Sequence, residues 1–355
     1  MEPIKYEFAD QSKSVLITDG DGDKPIILLL HGTGDSEIAW TTPETAPDRH
    51  FDYDAPLDPP RDVGWRIYPG IGVWSFELDP ERADIGDRDW VTVLSAHRFR
   101  TARYSQIDNT GLLARPVEEL GVVIDNLRKR FGNDRIVVLT QSRGGVLIRK
   151  FVKDNFTNAS RVGHLTKIIT LHAPHQGSAL ASAASTINGV IQSLRGTLPT
   201  EVVDAVLGWL EEIVNLPAFQ ELAVGSAFLT DLEAGEQSLP NTEYYTFGGS
   251  SVLLSRVRSW LYTLGSAVPQ WHLPPFHHTI TMVEVPGISP LLNSLPNFTE
   301  EITPGRGDML VAESRSHLPW SIQRTNAINH AETYWDHNVQ QQVLGILGET
   351  GGIWA

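Results

Sequence analysis

Five short runs of apolar residues, each flanked by turn residues, decide the fold class predicted for this chain. The runs are continuous rather than alternating, which is typical of strands buried on both faces of a parallel sheet. They cover residues 26–30, 91–94, 136–139, 168–171 and 244–247. We therefore expect an α/β protein in which helices flank a mostly parallel central sheet.

A helix is predicted between the second and third runs. Pro116 suits its first position, because the ring fixes φ at a helical value and the missing N–H has no acceptor there. Gly132 is suited to end the helix. Between them apolar residues recur at helical spacing, at Val117, Leu120, Ile124, Leu127 and Phe131. Strand, helix and strand in this order predict a right-handed βαβ unit.

Three long segments interrupt the predicted core. Residues 41–89 are rich in Asp, Pro and Gly and are expected to form a solvated loop, since their acidic residues do not match the spacing of an EF-hand. Residues 178–235 and 251–303 are expected to form helical cap insertions over the sheet. The first of these contains an amphipathic stretch with Val202, Val206, Trp209, Leu210 and Ile213 on one side. The core then comprises residues 1–177, 236–250 and 304–355.

Composition excludes several classes of site and partner. The chain has no cysteine, so disulfides, thiolate metal sites and a cysteine nucleophile are excluded. A formal net charge of −15 argues against nucleic-acid binding, which needs clustered Lys and Arg. No stretch approaches the roughly 18 consecutive apolar residues of a membrane span. We expect a soluble protein, cytoplasmic as the sequence stands and secreted if a leader has been removed; the oligomeric state is left open.

The third apolar run leads directly into Thr140-Gln141-Ser142-Arg143-Gly144-Gly145 and then into a helical pattern. A serine between a strand and a helix, followed by glycines, has the form of a nucleophile elbow, in which a sharp turn lifts the hydroxyl off the sheet edge. The alternative is an ordinary strand-to-helix turn. The position of Ser142 at the end of a strand favours the first interpretation.

A second glycine-rich turn, His31-Gly32-Thr33-Gly34, follows the first apolar run. Acyl transfer requires backbone N–H groups aimed at the oxygen that becomes negative in the transition state. The N–H groups of Thr33 and Arg143 are the predicted donors. The alternative is a tight turn whose glycines only supply positive φ.

A serine nucleophile needs a base, and the base needs an acid that fixes its tautomer. In the chain order serine, acid, histidine, both partners follow Ser142 and lie on loops after late strands. Asp308 and His330 fit this order, with Glu332 able to bond near the histidine. We therefore predict Ser142 as nucleophile, His330 as base and Asp308 as the acid.

Other histidines compete for the role of base. His172 and His175 follow the fourth apolar run and are expected to line or support the site, with the base role kept as an alternative. His317 is expected to pack, and the pair at 277–278 to face solvent or aromatic residues. No H-E-x-x-H or similar spacing occurs, and we predict neither a metal nor a cofactor.

Together these motifs resemble those of the serine lipases and esterases of the α/β-hydrolase superfamily, with a pattern most similar to bacterial triacylglycerol lipases. The motifs that carry the resemblance are H-G-T-G at 31–34, T-Q-S-R-G-G at 140–145, A-P-H-Q-G-S at 173–178, G-D-M-L-V at 307–311 and I-N-H at 328–330. The resemblance implies an α/β-hydrolase fold with a lid, and an acyl-enzyme formed on Ser142. It also implies an oxyanion hole built from Thr33 and Arg143.

The expected partner is a small hydrophobic ester. Its contacts are predicted at His31, Gly32, Gln141 and His175. The same catalytic residues would serve a lactonase, an amidase or an acyltransferase, so those activities stay open. A non-catalytic protein that binds a hydrophobic ligand is the remaining alternative.

Overall fold

A computed structural model describes most of the core and parts of the insertions. The described residues are 3–8, 11–41, 65–68, 72–75, 89–132, 135–196, 211, 214–251, 256–261, 279–284, 300–301, 303, 305–308, 310–328, 330, 332–334 and 336–349. No helix within these ranges has the length and apolar character needed to cross a membrane.

The core is an eight-stranded sheet with the order β1-β2-β6-β3-β7-β8-β9-β12. Its strands are β1 (Ile4–Phe8), β2 (Gln11–Ile17), β3 (Ile26–Leu30), β6 (Arg100–Arg103), β7 (Ile136–Gln141), β8 (Leu165–Leu171), β9 (Glu243–Gly249) and β12 (Ile322–Asn326). β1 and β2 form an antiparallel hairpin, and β2 also pairs antiparallel with β6. From β6 to β12 every pairing is parallel. The predicted mostly parallel sheet is therefore confirmed.

Helices cover both faces of this sheet, as the continuous apolar runs predict. They are α1 (Trp90–Ala96), α2 (Ala114–Phe131), α3 (Arg143–Asp154), α4 (Ala159–Val162), α5 (Ala179–Ser182), α6 (Ala184–Arg195), α7 (Pro217–Gln220), α8 (Ala227–Glu233) and α9 (His337–Ile346). Every residue of β3 is buried, and its side chains divide between two apolar clusters. One cluster contains α2 and α3, and the other contains α1 and α9.

The predicted helix between the second and third runs is α2. It begins at Ala114, two residues before Pro116, and ends at Phe131. Gly132 caps it, adopts φ 55° and donates its N–H to the carbonyl of Arg128. β6, α2 and β7 follow one another along the chain, and both strands run parallel to β3, which lies between them.

The prediction of a strand at residues 91–94 is wrong, because these residues lie in α1. The side chain of Asp89 caps this helix by accepting the N–H of Thr92 at 2.8 Å. A run of four apolar residues fits one helix face as well as a strand, and the cap decides between them. The strand in this part of the chain is β6, which follows α1. Its arginines interrupt the apolar pattern by which a buried strand is recognised in the sequence. The guanidinium of Arg100 lies over the ring of Phe131, 4.8 Å from its centroid.

The prediction of helical structure over 251–303 is wrong for the part that the structure describes. There β10 (Arg256–Leu261) and β11 (Thr279–Glu284) pair antiparallel. β10 also pairs with β5 (Gly72–Ser75), which pairs with β4 (Trp65–Tyr68), so the described part of the predicted loop 41–89 joins the same four-stranded sheet. β-branched residues in β11 are the sequence signal for a strand.

Candidate active site

Ser142 lies at the sharp turn between β7 and α3. Its backbone has φ 52° and ψ −129°, a conformation that non-glycine residues rarely adopt. Two backbone bonds hold the turn: the N–H of Ser142 donates to the carbonyl of Leu171 at 2.9 Å, and the N–H of Gly145 donates to the carbonyl of Ser142 at 2.9 Å. Strain of this kind costs about 1–3 kcal/mol and is concentrated at functional sites.

Glycines make room for this turn. A Cβ on Gly144 would lie 2.7 Å from the carbonyl oxygen of Leu30, and a Cβ on Gly145 would collide with Ala173. The same Cβ on Gly145 would lie 3.2 Å from Oγ1 of Thr140. A threonine two residues before the serine is thus accommodated by a glycine three residues after it.

Asp308 and His330, predicted as partners from their order in the chain, are in contact. Nδ1 of His330 lies 2.8 Å from Oδ2 of Asp308 in hydrogen-bond geometry, and the N–H of His330 donates to the carbonyl of Asp308 at 2.9 Å. The other carboxylate oxygen accepts the N–H groups of Leu310 at 3.0 Å and Val311 at 2.7 Å. Hydrogen bonds therefore hold both oxygens of the Asp308 carboxylate.

The imidazole of His330 has an open nitrogen. Its Nε2 is buried and has no hydrogen-bond partner among the described residues, so a bond to the hydroxyl of Ser142 is not formed. The His330 loop is nevertheless attached to the serine turn, because the side-chain amide of Gln141 donates to the carbonyl of His330 at 3.1 Å. The arrangement brings a carboxylate-bound imidazole to the segment that carries Ser142.

Electrostatics keep Asp308 ionised although it has no exposed surface. Burial by itself raises the pKa of this carboxyl group. The neighbouring imidazoles of His330 and His172 outweigh that effect and hold the pKa well below its usual range. At neutral pH the carboxylate therefore accepts the Nδ1–H of His330, which leaves Nε2 as the basic nitrogen.

His172 is a second imidazole beside Asp308, and the sequence patterns did not assign it this contact. Its Nδ1 lies 2.8 Å from Oδ2 of Asp308 without the alignment of a full hydrogen bond. The residue directly follows β8, and its side chain is fully buried. His172, Asp308 and His330 are the one group in the described part of the chain with three potential metal ligands close together.

The turn at 31–34 is held by the segment that follows β6. The N–H of Gln106 donates to Nε2 of His31 at 3.0 Å, and the N–H of Gly34 donates to the carbonyl of Asn109 at 3.0 Å. The side chain of Asn109 donates in turn to the carbonyl of Asp35 at 2.7 Å. Thr33, one of the two predicted oxyanion donors, lies within this held turn.

Arg143, the other predicted donor, is anchored by its side chain. Its guanidinium is buried and donates to the carbonyls of Asn109 at 3.0 Å and Gly111 at 2.5 Å. Burial lowers the pKa of Arg143 to about 10, against the nearby carboxylates of Glu221 and Asp108, so the group stays charged at neutral pH. As the first residue of α3, Arg143 has a backbone N–H without an intrahelical acceptor.

Three of the four predicted substrate contacts are engaged with protein groups. Burial lowers the pKa of His31 to about 3, so its ring is neutral and structural. Gln141 is buried, and its carbonyl Oε1 lies 3.1 Å from the hydroxyl of Tyr334. Nε2 of His175 lies 2.9 Å from Oγ1 of Thr170. These side chains support the turns around Ser142.

Gly32, the fourth predicted contact, is needed for close approach. A Cβ there would collide with Oε1 of Gln141 and lie 3.0 Å from Cβ of Ser142. Among the competing histidines, His317 bonds through its two ring nitrogens to Thr246 at 3.0 Å and Glu313 at 2.9 Å, which suits the packing role expected of it. The pair at 277–278 lies outside the described residues, as do Val202, Val206, Trp209, Leu210 and Ile213.

Comparison with known proteins identifies the fold. No protein-family profile and no curated protein sequence matches the chain. Among solved structures, the mature lipase BlEst2 of Bacillus licheniformis is similar at 17% identity and a TM-score of 0.53, over 94% of this chain and 97% of that one. The propeptide form of the same lipase is similar at 17% identity and a TM-score of 0.51, over 95% of this chain and 54% of that one. With the sheet order and the turn at Ser142, these likenesses show that the chain has the α/β-hydrolase fold, as its sequence pattern predicts.

Proposed function

We propose that this protein is a serine carboxylic-ester hydrolase that acts through an acyl-enzyme on a hydrophobic ester. The observation that carries the proposal is the Asp308–His330 pair, whose free Nε2 belongs to a loop bonded to the residue before Ser142. Activation of a serine nucleophile needs a hydroxyl and a carboxylate-held imidazole within reach of each other, and here the turn that carries the hydroxyl is bonded to the loop that carries the imidazole.

The acylation half of the reaction uses the groups already described. Oγ of Ser142 attacks the ester carbonyl carbon while Nε2 of His330 takes the hydroxyl proton. The carbonyl oxygen becomes negative and is stabilised by the backbone N–H groups of Thr33 and Arg143, each contributing roughly 3–4 kcal/mol in comparable sites. The C–O bond of the ester then breaks, and the alcohol leaves with the proton from His330.

Deacylation repeats these steps with water. His330 removes a proton from water, whose oxygen attacks the acyl carbon and forms a second negative tetrahedral intermediate. The bond to Oγ of Ser142 breaks, the serine recovers its proton from His330, and the carboxylic acid is released. Throughout, Asp308 stays ionised, and its negative charge stabilises the positive charge on the imidazolium of His330.

Two exposed apolar side chains support a hydrophobic substrate. Leu112 is 54% exposed and follows Gly111, whose carbonyl accepts a bond from Arg143. Val224 is 44% exposed and lies against Gly177, in the segment after β8. An exposed apolar side chain next to a residue bonded to Arg143 suits the apolar lining that is typical of pockets for hydrophobic ligands. The solved structures with similar folds include a protein named as a lipase, which agrees with this substrate class.

The proposal is tested by replacing Ser142 with Ala and measuring turnover of a p-nitrophenyl ester. We expect activity to fall to background while the melting temperature stays within a few degrees of wild type. The control is Ser193→Ala, an exposed serine in α6, which should keep full activity. Comparable turnover by both variants would remove Ser142 from the mechanism. Comparing kcat/KM for esters, lactones and amides then separates the proposed activity from its alternatives.

A further inference from the structure

We propose that His172 is a positioning residue, whose buried imidazole confines the Asp308 carboxylate between two rings and keeps it directed at His330. The inference rests on the proposed function, because it concerns the acid of the same catalytic group. His172 does not touch the substrate in this account, and it acts only through Asp308.

The first support is the geometry around one oxygen. Oδ2 of Asp308 is 2.8 Å from Nδ1 of His330 and also 2.8 Å from Nδ1 of His172. Nδ1 of His330 meets the geometry of a hydrogen bond to this oxygen, whereas Nδ1 of His172 is equally close without meeting it. The two rings are 6.1 Å apart between centroids and inclined at 58°. Since Oδ1 is already held by the N–H groups of Leu310 and Val311, the carboxylate has no freedom to rotate.

The second support is backbone strain at His172. This residue has φ 51°, in the left-handed region that favours glycine. Its N–H donates to the carbonyl of Phe247 at 2.8 Å, so the sheet holds the conformation. A glycine would adopt the same φ without strain, so the backbone alone gives no reason for a histidine here. Such an outlier is evidence for a role of the side chain.

The third support is the space cleared for the ring. A Cβ on Gly249, at the end of β9, would collide with Cε1 of His172 and lie 2.6 Å from Cβ of Asp308. The absence of a side chain at Gly249 is therefore what lets the second imidazole approach the acid. The contact between His172 and Asp308 thus depends on a residue of β9, a strand that contains neither of them.

The charges around His172 define what it does. Among the described residues, the charged and titratable groups that act on it are Asp308, His330 and Asp336. Burial lowers the pKa of His172, so the ring is neutral at neutral pH and offers an N–H dipole rather than a charge. That dipole stabilises the ionised form of Asp308 and weakens its pull on a proton at His330. Without it, the negative charge of Asp308 would act more strongly on the imidazole of His330.

Two replacements of His172 separate the N–H group from the volume of the ring. His172→Phe keeps a ring but removes the donor, and we expect kcat to fall about tenfold or more with KM unchanged. The acid limb of the kcat/KM profile should move up by about half a pH unit or more. His172→Asn keeps an N–H near the position of Nδ1 and tolerates positive φ, so its profile should stay close to that of wild type.

The opposite ranking would overturn the proposal: a pH profile unchanged in His172→Phe, together with a larger kcat loss in His172→Asn, would mean that the ring only packs. Thermal unfolding shows whether each variant is folded. A measurement on the wild-type protein needs no variant. NMR of ¹⁵N-labelled histidine should find His172 neutral at pH 7 with its proton on Nδ1, and a proton on Nε2 alone would refute the role.

Failure of this inference is distinguishable from failure of the proposed function. If wild-type turnover does not depend on Ser142, the proposed function is wrong. If turnover depends on Ser142 but the His172 variants behave like wild type in rate and pH profile, only the positioning role is wrong.

Discussion

The two sides of the site differ in which of their polar groups are paired. On one side, the turn at 31–34 and the Nη1 and Nη2 atoms of Arg143 are bonded to the segment after β6, whereas Oγ1 of Thr33 and Nε of Arg143 have no partner among the described residues. On the other, Nε2 of His330 and both ring nitrogens of His172 have no hydrogen-bond partner among the described residues. One side is assembled before substrate arrives, and the other keeps its reactive nitrogen open. We therefore expect changes on the paired side to reduce stability, and changes on the open side to reduce rate.

The largest effect is expected on the open side, from His330→Gln. The change removes the base but leaves the β-sheet core unaltered, so kcat should fall about ten-thousandfold with little change in melting temperature. His337→Gln, at the start of α9, is the matched control and should keep wild-type kcat. A fall of less than tenfold in His330→Gln would show that another group serves as base.

Arg143→Met tests the paired side. It removes a buried guanidinium and leaves the carbonyl of Gly111 without this donor, so the free energy of unfolding should fall by about 3 kcal/mol. Urea denaturation measures the loss, and Lys129→Met, an exposed change in α2, should lie within about 0.5 kcal/mol of wild type. The kcat of Arg143→Met should fall less than that of His330→Gln, because the backbone N–H of residue 143 is retained. Equal free energies of unfolding for the two methionine variants would contradict the expectation that changes on this side of the site reduce stability.

The smallest effect concerns the neutral ring of His31. Its pKa is about 3 in the folded protein and about 6.5 in the unfolded chain, so the unfolded state binds more protons between these values. The stability that the neutral ring provides is full above about pH 6.5 and is lost as the pH falls. Between pH 7 and pH 5 the wild type should lose about 2 kcal/mol from this group.

His31→Gln measures that contribution, because glutamine retains an acceptor for the N–H of Gln106 and does not titrate. Urea denaturation at pH 7 and at pH 5 should show a smaller loss of stability in this variant than in wild type. Identical losses in the two proteins would place the titrating group elsewhere.

The fold was predictable wherever one local signal prevailed. β3 and β7 follow from continuous apolar runs, because both their faces are buried. β6 was missed because two of its four residues are arginines, and α1 was mistaken for a strand because its apolar run is short. β10 pairs with β5, which is almost two hundred residues away, and no local pattern predicts that pairing.

The candidate site shows the same division. Asp308 and His330 were selected by chain order and are in contact, although their catalytic roles stay proposals. The contact of His172 with Asp308 was not predicted, because it depends on a positive φ and on the missing side chain of Gly249. The support that Gln106 gives to His31 likewise arises from strand order, which brings the segment after β6 beside the end of β3.

Peptide mapping of a covalent adduct shows whether the hydroxyl of Ser142 is the nucleophile. Wild-type protein and His330→Gln would be treated with a fluorophosphonate, digested and analysed by mass spectrometry. We expect a single adduct on Ser142 in wild type and strongly slowed labelling in the variant. An adduct on another residue would contradict the assignment of Ser142, and equally fast labelling of Ser142 in both proteins would contradict the role of His330 as its base.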